Sequence, residues 1–85
     1  MQIINGHRFY DEQDMEIMME TLYRADRRLK EQIYDYVACN EYGMDRAPLL
    51  NIISDPMEYN VEYLYSLDSA VVEKFICIME LFGIV

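Results

Sequence analysis

Apolar residues from Met15 to Val37 recur at the spacing of one face of an α-helix. No glycine or proline interrupts this pattern, and the carboxylates from Asp11 onward suit the positive end of a helix dipole. We therefore predict one continuous helix over about residues 11–39. The alternative is two helices that meet near Asp26, whose side chain could cap the second one. The apolar stripe comprises Met15, Met18, Met19, Leu22, Ala25, Leu29, Ile33, Tyr36 and Val37.

The C-terminal segment has the most apolar helical pattern of the chain, and it predicts a helix over about residues 68–82. Glu73, Lys74 and Glu80 gather on one side, and Gly83 follows the last periodic residue as a C-terminal stop. The segment is too short and too charged to span a bilayer, which requires about 20 apolar residues, so other parts of the protein must cover it. The apolar positions are Val72, Phe75, Ile76, Ile78, Met79 and Phe82.

Two shorter helices are predicted between these segments. Gly43 indicates a turn, and Asp45 then begins a helix over about residues 45–54. The sequence from Asp55 to Glu58 has the order of an N-cap acid, a first-turn proline and a capping-box glutamate, which predicts a helix over about residues 56–66. The positions of this helix expected to face inward are Met57, Val61, Leu64 and Tyr65.

The N-terminal residues 2–9 have the pattern of a tight β-hairpin. Asn5-Gly6 lies between two short apolar runs, and this dipeptide favours a type I′ turn. A two-stranded ribbon is marginally stable alone, so we expect its apolar side chains to pack on the helical body. These side chains are Ile3, Ile4 and Phe9.

Together these elements predict an all-α fold, a small four- to five-helix bundle with a short N-terminal β-hairpin. The chain of 85 residues is large enough for one modest core, so we expect a single domain. Connections of two to five residues imply antiparallel or angled helices.

Composition adds a strong negative charge to this picture. The chain has 16 acidic and 7 basic residues, for a net charge of −9. Nucleic acids and anionic membranes are polyanions, so this charge argues against either as a direct partner. The first residues lack the basic start and apolar core of a secretory signal, so we expect a cytoplasmic protein. Cys39 and Cys77 are then expected to be reduced core thiols, and a disulfide between them is the alternative.

Neither a metal nor a cofactor is indicated by the sequence. The only histidine is His7, and no cysteine lies near it in the chain. Neither a Cys-His nor a Ser-His-Asp arrangement has obvious members. Carboxylate pairs are abundant, but a chain this acidic produces them by chance. We therefore expect no catalytic activity.

The acidic residues instead indicate two candidate binding surfaces. On the first predicted helix, three glutamates lie one turn apart along an outer face. On the helix predicted at residues 56–66, carboxylates alternate with tyrosines, which are favoured in binding patches. The simpler alternatives are a solvated face for the first set and core-edge tyrosines for the second. The first acidic surface comprises Asp11, Glu12, Asp14, Glu16 and Glu20, and the second comprises Glu58, Tyr59, Glu62 and Tyr63.

A basic band separates the two acidic surfaces. Four basic side chains within seven residues could suggest DNA binding, but acids at helical spacing offer them partners. The helix expected to enter a DNA groove carries Glu58 and Glu62 where Arg, Gln or Asn would be expected. We therefore expect no direct contact with nucleic acid. The band consists of Arg24, Arg27, Arg28 and Lys30.

In size, charge and lack of catalytic residues the chain resembles the small anti-defence proteins of phages, including anti-restriction and anti-CRISPR proteins, some of which resemble nucleic acid in their charge. This resemblance is one of class and transfers no residue roles. The immunity proteins of nuclease bacteriocins are similar in length, acidity and helical content. Their nearest local likeness here is Tyr63-Leu-Tyr65, without the paired tyrosines and proline expected in that family.

The sequence therefore predicts an acidic inhibitor or adaptor that occupies a basic surface of a larger protein, in particular a nucleic-acid enzyme. The alternative is a non-catalytic subunit that forms a homodimer or serves a regulatory or immunity role. In the homodimer, the first helix would form the seam and bury Met15, Met18 and Leu22 between the two chains.

Overall fold

A computed structural model describes residues 1–85 and contains five α-helices preceded by a β-hairpin. The predicted helical bundle with an N-terminal hairpin is confirmed. None of the helices is long and apolar enough to cross a membrane. The elements are β1 (Gln2–Ile4), β2 (His7–Phe9), α1 (Glu12–Arg24), α2 (Arg27–Cys39), a 3-10 turn (Gly43–Asp45), α3 (Arg46–Ser54), α4 (Val61–Tyr65) and α5 (Ser69–Leu81).

The first predicted helix is broken into α1 and α2, so the prediction of one continuous helix is wrong and the alternative of two helices that meet near Asp26 is confirmed. Ala25 is extended, with φ −60° and ψ 149°, and its N–H donates to the carbonyl of Leu22. The Asp26 carboxylate accepts the N–H of Leu29 at 2.8 Å and begins α2. Because the apolar stripe keeps its phase across this junction, hydrophobic periodicity alone does not reveal the break.

The fourth helix begins later than predicted. The Asp55 carboxylate accepts the N–H groups of Met57 and Glu58 as expected. The Asp55 N–H, however, donates to the carbonyl of Asn51 and caps the end of α3. The backbone N–H needed to complete a capping box with Glu58 is therefore already used. The chain makes a turn instead, and Asn60 caps α4 by accepting the N–H of Tyr63 at 3.2 Å.

The core is a single cluster of 16 buried apolar residues. It includes the buried residues of the predicted α1–α2 stripe. The largest fully buried side chain of the core is Phe75, which lies on α5. Helix α2 packs against α3, and α1 packs against α4. At the end of α5, Gly83 has φ 72° and Ile84 donates to the carbonyl of Met79, which confirms the predicted stop.

Several side chains predicted to be buried are exposed. Val61 and Leu64 are buried as predicted, but Met57 and Tyr65 are about half exposed. Met57 lies in the turn before α4 rather than on a helix. Cys39 and Cys77 are free thiols as expected, but both are exposed rather than in the core.

The surface suggested as the seam of a homodimer is covered within one chain, because Met15, Met18 and Leu22 are buried in the core.

The hairpin forms with the predicted turn, but its apolar side chains do not pack on the body. Asn5 and Gly6 have φ of 52° and 79°, as a type I′ turn requires. Ile3, Ile4 and Phe9 are at least half exposed, contrary to expectation. Polar contacts made by neighbouring residues hold the ribbon to the helices instead.

Candidate functional site

The packing of α1 against α4 creates a groove of 570 Å³, which we call the acidic groove. Its carboxylates come from both elements. Three glutamates follow one another along α1, and a fourth lies in the first turn of α4. All four are exposed at the groove. They are Glu12, Glu16, Glu20 and Glu62.

Apolar groups form the base of the acidic groove between these carboxylates. Met19 of α1 and Val61 of α4 belong to the buried core and reach the groove from either side. Pro56 and Met57 contribute from the connection between α3 and α4. The site therefore combines an acidic rim with an apolar base, a combination that suits a basic side chain with an aliphatic stem.

One end of the acidic groove is defined by Tyr23 and Arg24. The Arg24 guanidinium lies 2.9 Å from the Glu20 carboxylate and partly neutralises it. The Lys30 ammonium lies 5.3 Å from the centre of the Tyr23 ring and donates to the Tyr23 carbonyl, so this ring has a cation on one side.

Tyr65 lies near Glu12, the first of the three groove glutamates on α1. Partial burial raises the pKa of the half-exposed Tyr65 phenol, and the nearby negative charges of Glu12 and Asp11 raise it further. No basic side chain pairs with Glu12, Glu16 or Glu62 within the molecule. The negative charges of these three groove carboxylates are therefore not neutralised by an ion pair within the molecule.

Two members of the first acidic surface have structural contacts. The Asp11 carboxylate accepts the N–H of Asp14 at 2.7 Å, and the Asp14 carboxylate accepts the N–H of Asp11 at 3.2 Å, forming a capping box. Asp14 also lies 2.6 Å from the N-terminal ammonium group of Met1. This ion pair and the Asp11 N–H hold the pKa of Asp14 below its usual value. Both carboxylates therefore stabilise the start of α1.

The second acidic surface is divided by the structure. Only Glu62 lines the acidic groove. Tyr59 and Tyr63 are half-buried against the core and pack edge to face, with ring centres 4.9 Å apart. Glu58 is exposed in the turn before α4 and does not line the groove.

The basic band is largely paired with neighbouring groups. Arg24 pairs with Glu20, and Arg27 pairs with Glu31 at 3.0 Å. Arg28 is exposed and has no acidic partner. These contacts follow the helical spacing seen in the sequence.

Sequence reasoning missed the residues that connect the two acidic surfaces. Tyr23 could have been identified, because it lies one helical turn beyond Glu20 on the same face. Met57 and Asn60 could not, since their place at the groove depends on the turn before α4. No group of three His, Cys, Asp or Glu side chains is arranged to hold a metal ion.

Comparisons of the chain with protein-family models, with curated proteins and with solved structures give no significant match. The geometry and charge of the acidic groove are therefore the basis for any functional assignment.

Proposed function

We propose that this protein acts without turnover, by binding a basic surface of a larger nucleic-acid-binding protein through its acidic groove. The observation that supports this most strongly is the meeting of Glu12, Glu16 and Glu62, which have no basic partner, over an apolar base. A basic side chain would neutralise them and bury its aliphatic stem against Met19 and Val61.

Electrostatics would act first in such an encounter. A charge of −9 on a chain of 85 residues attracts a basic surface over a distance of about 8 Å at physiological salt. Apolar contacts within the groove would then fix the orientation. A surface that normally binds nucleic acid provides the required Lys and Arg side chains, and its occupation would block nucleic acid. The mode of action would be that of an anti-restriction or anti-CRISPR inhibitor.

Two variants with the same net charge test this proposal. The groove variant is Glu12→Gln with Glu16→Gln and Glu62→Gln. The control variant is Asp35→Asn with Glu41→Gln and Glu73→Gln, three exposed acids outside the groove that form no ion pairs. Wild type and both variants are immobilised, exposed to host-cell lysate at low salt and eluted between about 0.1 and 0.5 M salt.

We expect a basic nucleic-acid enzyme to be retained by the wild type and by the control variant, and to be lost from the groove variant. The purified enzyme should then be displaced from the wild type by its own nucleic acid. Equal retention by the two variants would assign binding to net charge and contradict the groove. Retention that nucleic acid does not compete would contradict the proposed mode of action.

A further inference from the structure

The hairpin has features that the acidic groove does not explain. All 16 acidic residues lie from Asp11 onward, so residues 1–10 carry only basic charge. Ile3, Ile4 and Phe9 are 66%, 50% and 52% exposed. A basic partner has no electrostatic reason to bind this segment, so a different partner must be considered.

The backbone edges of the hairpin are also unpaired. Residues flanking a two-residue turn form a hydrogen-bonded pair, here Ile4 with His7, so the next pair, Ile3 with Arg8, has outward-facing N–H and C=O groups. No backbone hydrogen bond outside the regular elements involves a residue before Asp11. Both edges can therefore accept another strand.

The attachment of the hairpin to the body leaves its apolar residues free. The Arg8 guanidinium lies 3.1 Å from the Glu80 carboxylate, and the Tyr10 hydroxyl donates to the same carboxylate at 3.4 Å. A cleft of 400 Å³ separates the ribbon from Ile17 and Val85. The Met1 ammonium also lies 2.6 Å from the Asp14 carboxylate and holds the start of β1 to α1. These contacts involve charged and polar groups, so the side chains of Ile3 and Ile4 remain exposed.

We propose that the free edge of β1 pairs with β1 of a second copy of this chain, in a two-fold antiparallel arrangement centred on Ile3. A two-fold interface brings the same residue of each copy together. At the β2 edge, Arg8 would face its own copy, and like charges directly opposite each other are destabilising. At the β1 edge, Ile3 of one copy faces Ile3 of the other. The N–H of each Ile3 donates a hydrogen bond to the C=O of the other.

The resulting four-stranded sheet has the order β2-β1-β1-β2. It brings Ile4 of one copy opposite Gln2 of the other and covers apolar surface on both faces of the ribbon. Because residues 1–10 contain no acid, the pairing joins the chains where their mutual repulsion is smallest. Each strand has three residues, so the association is weak and should depend on concentration.

Sedimentation equilibrium tests the pairing with the full chain. We expect the mass of the wild type to rise from 10.2 kDa at about 10 μM toward twice that value at about 1 mM. Ile3→Lys should remain monomeric, because two lysines would face each other. Ile17→Lys adds the same charge at an exposed isoleucine outside the seam, and it should associate as the wild type does. Circular dichroism and thermal unfolding confirm that each variant is folded.

A charge exchange tests the central position directly. Ile3→Glu should also be monomeric alone, but its mixture with Ile3→Lys should associate, because Lys then faces Glu across the two-fold axis. A wild type that is monomeric up to about 1 mM would overturn the proposal. So would a folded Ile3→Lys variant that still dimerises, or a mixture that does not associate. A monomeric wild type whose retention of a partner protein is lost on Ile3→Lys would assign the hairpin to that partner instead.

Discussion

At the residue scale, Phe75 makes the largest single contribution to the core. It is the largest of the fully buried side chains and lies on the inner face of α5. Phe75→Ala should lower the free energy of unfolding by about 3 to 5 kcal/mol, because it removes apolar contacts and leaves a cavity. Ile17→Ala, at a 57% exposed position, should change it by about 0.5 kcal/mol or less. Urea unfolding followed by circular dichroism measures both values, and similar losses in the two variants would contradict the core described here.

Tyr42 should make stability depend on alkaline pH. Burial raises the pKa of its phenol to about 12 from 10.0, and the neighbouring Tyr36 adds to the effect. A raised pKa means that folding favours the neutral phenol. Its contribution to stability is therefore complete below pH 10 and is lost as the pH rises toward about 12.

Tyr42→Phe should consequently show a smaller loss of stability than the wild type between pH 10 and about 12. Tyr34→Phe is the matched control, because Tyr34 is 41% exposed, and it should follow the wild type. Urea midpoints measured across this pH range compare the loss of stability in the wild type and the two variants. Parallel curves for wild type and Tyr42→Phe would show that Tyr42 is not the residue responsible.

At the element scale, the cap on α2 explains why α1 and α2 are separate. Asp26→Ala should destabilise the protein by about 1 kcal/mol, because the Leu29 N–H loses its acceptor. Asp26→Asn retains a side-chain oxygen and should remain close to the wild type. Asp35→Ala removes an equal charge from the middle of α2 and should cause no loss. Thermal unfolding of the three variants tests the cap, and an equal loss in Asp26→Asn would assign the effect to charge.

The helix junctions also show what the sequence could and could not predict. The inward positions of α1 and α2 were predictable because burial follows a 3.6-residue period. The break at Ala25 was not visible in this period, since one extended residue left the pattern in phase, and only the possible cap at Asp26 indicated it. At Asp55 the cap signal was genuine, but the same residue also ends α3 and its N–H was already used. Local signals therefore identified the helices better than their boundaries.

The acidic groove could be predicted only in part for a related reason. The row of Glu12, Glu16 and Glu20 follows from helical spacing within one element. Glu62 joins this row because α4 packs on α1, and two segments so far apart in the chain carry no local signal of their contact. For Tyr59 and Tyr63, the simpler interpretation as core-edge residues agrees with their half-buried packing.

At the scale of the whole molecule, the charge of −9 is distributed unevenly. The acidic residues without an ion pair include Glu12, Glu16 and Glu62, which converge, and Glu73, which has no charged residue one turn away on α5. A chain selected only for solubility would gain as much from isolated charges as from clustered ones. Clustered charges repel each other, so the acidic groove should lower the stability of the fold.

A comparison of two single neutralisations measures this cost. Glu16 has Glu12 and Glu20 one turn away on either side, and each such pair destabilises a helix by about 0.2 to 0.5 kcal/mol. Glu16→Gln should therefore raise the free energy of unfolding by up to about 1 kcal/mol at low salt, and the gain should shrink at high salt, where charges are screened. Glu73→Gln changes the net charge equally and should give little gain at either salt concentration. Urea unfolding at about 10 mM and 0.5 M salt tests both variants, and equal gains would show that net charge, not its clustering along α1, sets the cost.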